Sequence, residues 1–106
     1  MIPIAAREDV ARKLRAWADG ALDAAALKSW VESVRTDEPG PREALAEMDL
    51  LEVHLLTPDD AAALLALVES DDPAAAAAWA RHRASIDLDS RSRALRKNPL
   101  YRPFCR

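Results

Sequence analysis

The chain has 106 residues, half of them hydrophobic, a formal net charge of −3 and a single cysteine. This length is enough for one domain with its own core, and a single cysteine excludes an intramolecular disulfide. No run approaches the eighteen apolar residues that a membrane-spanning helix needs, and no apolar signal segment precedes the first charged residues, so we expect a cytoplasmic protein. The charge is uneven: residues 1–80 carry −9, whereas residues 81–106 carry +6.

Residues 6–35 predict a helical hairpin. Apolar residues recur every three or four positions in segments 6–18 and 23–35, which is typical of helices with one buried face. Gly20 follows the first segment, where a positive φ would end the helix, and Asp23 is placed to cap the second. The predicted buried stripes are Val10, Leu14 and Trp17 in the first helix and Leu27, Trp30, Val31 and Val34 in the second. We expect the two tryptophans to lie in the core and to face each other.

Residues 36–41, with the sequence TDEPGP, are predicted to form a linker, because two prolines and a glycine disfavour helix. A central hairpin is predicted over residues 42–70, with Thr57 as the cap and Pro58 as the first residue of its second helix. Its predicted buried stripes are Ala44, Met48, Leu51 and Leu55, followed by Ala61, Leu64, Leu65 and Val68.

Residues 73–106 predict two further helices and an extended tail. The first helix begins at Pro73 after the cap Asp72, and its apolar line continues through Trp79, His82 and Ile86. The second is predicted over residues 85–97, with the ion pairs Asp87–Arg91 and Asp89–Arg93. We expect the basic C-terminal segment to fold back on the acidic body, with its apolar tail packed across the helices.

The whole pattern predicts a single all-α domain, a bundle of five or six helices built from antiparallel hairpins. No catalytic group of residues is spaced in a way that suggests an enzyme, and we expect no cofactor. His54 and His82 have no second ligand at i+4, so no metal site is predicted. The expected function is therefore the binding of another molecule.

Part of the sequence resembles the small helical immunity proteins of bacterial toxin systems. The resemblance rests on LRAWADGAL at residues 14–22, LKSWVE at residues 27–32 and LLTPDD at residues 55–60, and covers roughly the first 70 residues. It implies an acidic, cytoplasmic and non-enzymatic protein that protects its cell by occluding a toxin domain. A helical adaptor with another partner is the alternative.

A second resemblance, to a helix-turn-helix, rests on Ala16, Gly20 and Ala26. The candidate recognition helix offers only Lys28 and Arg35 for phosphate groups, within a body of charge −9, so electrostatics oppose DNA binding by that face. A nucleic acid would instead have to meet the basic residues Arg81, Arg83, Arg91, Arg93, Arg96, Lys97 and Arg102.

Six acidic residues are the predicted partner-binding site. They lie in the linker or off the apolar stripe of the central hairpin, and few have a cation at i+4, so we expect them to be exposed and unpaired. Such a group would raise the local negative potential and attract a cationic protein, although it would also serve solubility alone. The six are Asp37, Glu38, Glu43, Glu47, Asp49 and Glu52.

Overall fold

A computed structural model describes all of residues 1–106 and contains six α-helices and no β-sheet. The helices are α1 (Arg7–Ala18), α2 (Ala24–Ser33), α3 (Pro39–Met48), α4 (Ala61–Val68), α5 (Pro73–Ala84) and α6 (Leu88–Leu95), and two short 3-10 turns cover Pro58–Asp60 and Arg102–Phe104. The prediction of an all-α fold with five or six helices is confirmed. No helix is both long enough and apolar enough to cross a membrane.

Helix α4 lies at the centre of the molecule. Its sequence AAALLALV is apolar on every side, so it is stable only when other elements surround it. Helices α1, α3 and α5 pack around it. Leu64, Leu67 and Val68 are buried, whereas the predicted stripe residue Leu65 is partly exposed.

The first hairpin follows its local signals. Gly20 has a φ of 81°, and the Asp23 side chain accepts a hydrogen bond from the Ala26 amide at 2.8 Å, as expected of the two caps. Trp17 is buried, but Trp30 is only partly buried, with the Lys13 ammonium 5.6 Å from its ring centroid. The expected contact between the two tryptophans is wrong, since the paired aromatic rings belong to Trp79 and His82.

Helix α2 ends two residues earlier than predicted, at Ser33. The Ser33 hydroxyl donates to the Trp30 carbonyl at 2.6 Å and so satisfies an acceptor of the last turn. Val34 is then extended, with φ −133° and ψ 166°. Arg35 forms an isolated parallel bridge with Ile4, so the N-terminal segment runs beside the connection between α2 and α3.

Helix α3 begins inside the predicted linker, at Pro39. Prolines are tolerated in the first turn because the amides there have no partner within the helix. The amide of Gly40 donates to the Asp71 side chain at 2.8 Å, which supplies from a distant residue the cap that Glu38 does not provide. A Cβ at Gly40 would lie 2.5 Å from the Ser70 carbonyl, so this close contact of α3 with the end of α4 requires glycine.

The predicted first helix of the central hairpin is also shorter than expected. Helix α3 ends at Met48, and residues 49–55 form turns in which Leu55 has a φ of 54°. Leu51 and Leu55 are nevertheless buried, as their place in the apolar stripe indicated.

The C-terminal segment packs on the body, but with a different local structure. Helix α6 covers Leu88–Leu95 rather than residues 85–97, because Asp87 accepts a hydrogen bond from the Ser90 amide and starts the helix there. The tail forms turns and a 3-10 helix instead of an extended strand. Tyr101 is buried, and its hydroxyl donates to the Leu56 carbonyl at 2.6 Å.

Candidate protein-binding surface

The structure does not bring the six predicted acids together as one exposed patch. Four of them are exposed, namely Asp37, Glu38, Glu43 and Asp49. The Glu47 side chain is only 18% exposed and that of Glu52 only 7%, so the prediction is wrong for these two residues. Two of the predicted surface charges therefore belong to the interior.

Glu52 is buried against Lys28. The Lys28 ammonium lies 2.8 Å from Glu52 Oε1 and 3.8 Å from carboxylate oxygens of both Glu32 and Asp49, and it also donates to the Asp49 carbonyl. Partial burial disfavours the charge of Lys28, but the hydrogen bond that Lys28 donates to Glu52 and the three negative charges raise the pKa of Lys28 above its ordinary value. One cation thus serves three carboxylates, and the group keeps an excess of negative charge.

The expectation that the acids are unpaired is also wrong for most of them. Glu47 lies 3.5 Å from Arg83, Asp37 lies 3.2 Å from Arg35, and Glu38 lies 2.7 Å from Arg7. Of the six, Glu43 alone has no cation within 4 Å, because sequence-distant cations reach the others.

Arg7 joins three elements through its two ion pairs. It binds Glu38 before α3 and Asp71 in the turn between α4 and α5, the latter at 2.8 Å. Hydrogen bonds from the Gly40 amide and from Arg7 lower the pKa of the Asp71 carboxyl. The acidic residues at this end of the molecule therefore hold helices in place.

A groove of about 590 Å³ runs between α2 and α3 and forms the largest concave surface of the protein. Its apolar lining is Val31, Val34, Leu45 and Ala46, and its polar lining is Glu32, Arg35, Thr36, Asp37, Arg42 and Asp49. The carboxylates of Glu32, Asp37 and Asp49 remain more than half exposed, at 57%, 65% and 55%. An apolar floor with exposed charges at its rim is the usual composition of a protein-binding surface.

Only Asp37 and Asp49 of the predicted site line this groove. The sequence pattern singles out neither Glu32 nor Arg42, the other charged residues of the groove beside Arg35. The signal that could have located the groove is Val34-Arg35-Thr36, where two β-branched residues favour an extended end to α2.

A second polar group lies in the interior around Asp60, which is fully buried. The Arg91 guanidinium binds its two carboxylate oxygens at 2.8 and 3.1 Å, His82 Nε2 lies 2.8 Å from Oδ1, and the Thr57 amide donates to Oδ2. Burial alone would raise the pKa of the Asp60 carboxyl, but the hydrogen bonds from Arg91, Thr57 and His82 lower it below the ordinary value. The predicted Asp87–Arg91 pair is therefore wrong, since Arg91 is used inside the fold.

A histidine beside a carboxylate is also found in catalytic triads, but this pair is arranged differently. The Asp60 carboxylate binds Arg91 as well as His82, and no hydroxyl or thiol hydrogen-bonds to the other nitrogen of the His82 ring. His82 instead stacks on Trp79 at a centroid distance of 5.6 Å. The arrangement joins α5 and α6 to the turn before α4.

The basic C-terminal segment folds back only in part. Arg83 and Arg91 reach carboxylates of the acidic body, as expected. The predicted Asp89–Arg93 pair is wrong, because Asp89 lies 3.4 Å from Arg106 instead. The cations with no carboxylate within 4 Å in this segment are Arg81, Arg93, Arg96, Lys97 and Arg102.

No group of three or more His, Cys, Asp or Glu side chains is placed to hold a metal ion. Comparisons of the chain with protein-family models, with curated proteins and with solved structures found no match.

Proposed function

We propose that this protein is a non-catalytic protein-binding domain and that its groove between α2 and α3 receives a cationic partner. The observation that carries the proposal is the combination of an apolar floor with the exposed carboxylates of Glu32, Asp37 and Asp49, which outnumber the two arginines of the lining, Arg35 and Arg42. Residues 1–80, which contain the whole groove, carry a net charge of −9 and would accelerate the approach of such a partner.

The most specific form of the proposal is an immunity protein that neutralises a toxin. The resemblance of residues 14–60 to small helical immunity proteins supports it, as does the acidic charge of this part of the chain. An immunity protein of this kind would cover a basic toxin domain and so prevent it from reaching its substrate. A helical adaptor that uses the same groove for another partner is the alternative.

The test compares two variants that each remove three negative charges. E32Q/D37N/D49N removes them from the groove, whereas E8Q/D19N/D59N removes them from exposed positions outside it that form no ion pair. A partner recovered from the producing cells should associate about tenfold more slowly with the groove variant at low salt, and at nearly the wild-type rate with the control. Equal slowing by both variants would mean that only net charge matters and would refute the groove as the interface.

A growth assay separates the two forms of the proposal. The recovered partner is produced inside cells with the wild-type protein, with the groove variant or alone. An immunity protein should restore growth that the partner alone arrests, and the groove variant should restore it less well. A partner that leaves growth unaffected would favour the adaptor.

A specific observation favours a second candidate, nucleic-acid binding by the C-terminal segment. Arg93, Arg96, Lys97 and Arg102 are exposed and have no carboxylate within 4 Å. If they contact phosphates, a fluorescent single-stranded oligonucleotide should bind, and affinity should fall steeply as salt is raised. R93E/R96E should then abolish binding, while the groove variant should leave it unchanged.

A further inference from the structure

We infer that the groove binds an extended segment of its partner, which adds to the molecule as a β-strand beside Val34–Thr36 and places a lysine or arginine against Glu32 and Asp49. This inference rests on the proposed function and specifies the class of ligand. Three separate observations support the inference, namely the backbone of residues 34–36, the lining of the groove and the distribution of charge in the groove.

Arg35 is already paired with the N-terminal segment through an isolated parallel bridge to Ile4. The Arg35 amide donates to the Pro3 carbonyl at 2.9 Å, and the Ala5 amide donates to the Arg35 carbonyl at 2.7 Å. In an extended chain, successive residues direct their amides and carbonyls to opposite edges. The carbonyl of Val34 and the amide and carbonyl of Thr36 therefore face away from the N-terminal segment, whereas the Val34 amide belongs to the last turn of α2.

That second edge has no partner within the protein. The carbonyl of Val34 and both backbone groups of Thr36 form no hydrogen bond, although both residues line the groove. Backbone groups in folded proteins are nearly always paired, and an unpaired strand edge is a template for another chain. A segment that lies in the groove beside this edge would pair these groups.

The groove has the side chains that strand addition requires. In this mode of binding, main-chain hydrogen bonds provide affinity and alternate side chains provide specificity. Val31, Leu45 and Ala46 provide an apolar surface for the side chains that point inward. Small or branched apolar residues at every second position of the ligand would fit this surface.

The charges of the groove indicate a cationic residue in the ligand. Lys28 is hydrogen-bonded to the buried Glu52, which leaves Glu32 and Asp49, each 3.8 Å from the same ammonium, without a full counter-charge. The other acid of the rim, Asp37, has its own partner in Arg35. The excess negative charge is therefore concentrated at the Glu32–Asp49 end.

Peptide selection followed by chemical modification tests the inference. Random peptides displayed on phage are selected on the whole protein, and we expect sequences in which apolar residues alternate with polar ones and at least one lysine or arginine is present. N-methylation of alternate amides in a selected peptide should weaken binding about tenfold in one register and little in the other, because only one edge of the peptide is paired.

Two protein variants provide the matched comparison. Thr36→Pro removes the amide while keeping Arg35 extended, and Thr36→Val keeps the amide and nearly the same shape. The selected peptide should bind about tenfold more weakly to T36P and with almost unchanged affinity to T36V. Circular dichroism of both variants establishes that each is folded, and an insensitive T36P variant would overturn the inference.

The remaining outcomes separate this inference from the proposed function. Strand addition would be refuted if the selected peptides had apolar residues at helical spacing. It would also be refuted if no peptide were selected while binding of the recovered partner still depended on Glu32, Asp37 and Asp49. Either outcome would leave the groove as the interface. A second copy of this chain is the other occupant of the groove to be tested, because Ile2 and Ile4 are exposed. The inference would also be overturned if sedimentation showed a dimer of the wild type, if I2E/I4E dissociated that dimer, and if the selected peptide displaced the second copy.

Discussion

Asp60 and Glu52 are both buried carboxylates, but they differ in how many groups neutralise them. Asp60 accepts hydrogen bonds from Arg91, His82 and the Thr57 amide. Glu52 has Lys28 as its one partner, and its Oε2 has none. Since a buried charge is stabilising only when its hydrogen-bonding capacity is filled, the first is an anchor of the fold and the second is a weaker contact.

The two carboxylates also join different parts of the chain. Asp60 holds α5 and α6 to the turn before α4, so the C-terminal third of the protein depends on it. Glu52 joins the turn after α3 to α2 and so lies next to the groove. The comparison predicts that fold stability is concentrated around Asp60, whereas the region near Glu52 tolerates change.

The largest effect is expected for Asp60→Ala. The substitution leaves the Arg91 guanidinium and His82 without their shared partner, and breaking a buried pair in this way costs about 3 to 5 kcal/mol in unfolding free energy. Urea denaturation of the wild type and the variant measures this difference. A loss below about 1 kcal/mol would show that the buried network contributes no more than an exposed ion pair.

Glu52→Ala should lower the unfolding free energy by less, about 1 to 2 kcal/mol. Lys28 stays beside Glu32 and Asp49 in this variant, and the lost carboxylate had only one of its two oxygens hydrogen-bonded. The same denaturation experiment ranks the two variants. The double variant D60A/E52A measures the coupling between the two carboxylates, both of which lie close enough to Tyr101 for their charges to raise its pKa. A Glu52 loss equal to that of Asp60 would contradict the distinction between the two sites.

Lowering the pH should reduce the contribution of Asp60 to the free energy of unfolding. Its pKa in the folded protein is below the ordinary value, so its stabilising effect is fully present above about pH 4, the unfolded value, and is lost as the pH falls through the folded pKa. Thermal melts across this range should show the gap between wild type and Asp60→Asn narrowing as the pH falls. A gap that stays constant would mean that the Asp60 charge is not the source of the stability.

The smallest effect is expected for Asp49→Lys, which should change the unfolding free energy by less than about 0.5 kcal/mol, because the Asp49 side chain is exposed and its carboxylate comes no closer than 3.8 Å to the Lys28 ammonium. The double reversal D49K/E52K should not be neutral, since it places a second ammonium beside Lys28 in a buried position. Melting temperatures of the single and double variants measure this contrast.

The sequence indicated where charges lie along the chain, but not which of them are exposed. Glu47 and Glu52 are off the apolar stripe of α3 and its following turn, which is why they were predicted to be surface residues. Their partners, Arg83 and Lys28, come from distant parts of the sequence. Long side chains from other elements cover them, and no local pattern encodes that approach.

Local signals determined where most of the helices lie, but only some of their ends, such as both ends of α1 and the starts of α2 and α5. Gly20, Asp23 and Asp72 act on amides and dihedral angles within a few residues of themselves, and the apolar stripe of α1 follows from helical periodicity alone. Only the tertiary structure decided that the start of α3 is capped by Asp71, that Arg91 pairs with Asp60, and that a groove opens between α2 and α3. These features depend on contacts between residues tens of positions apart, whose free energy is set by packing, burial and the presence of a counter-charge rather than by local preference.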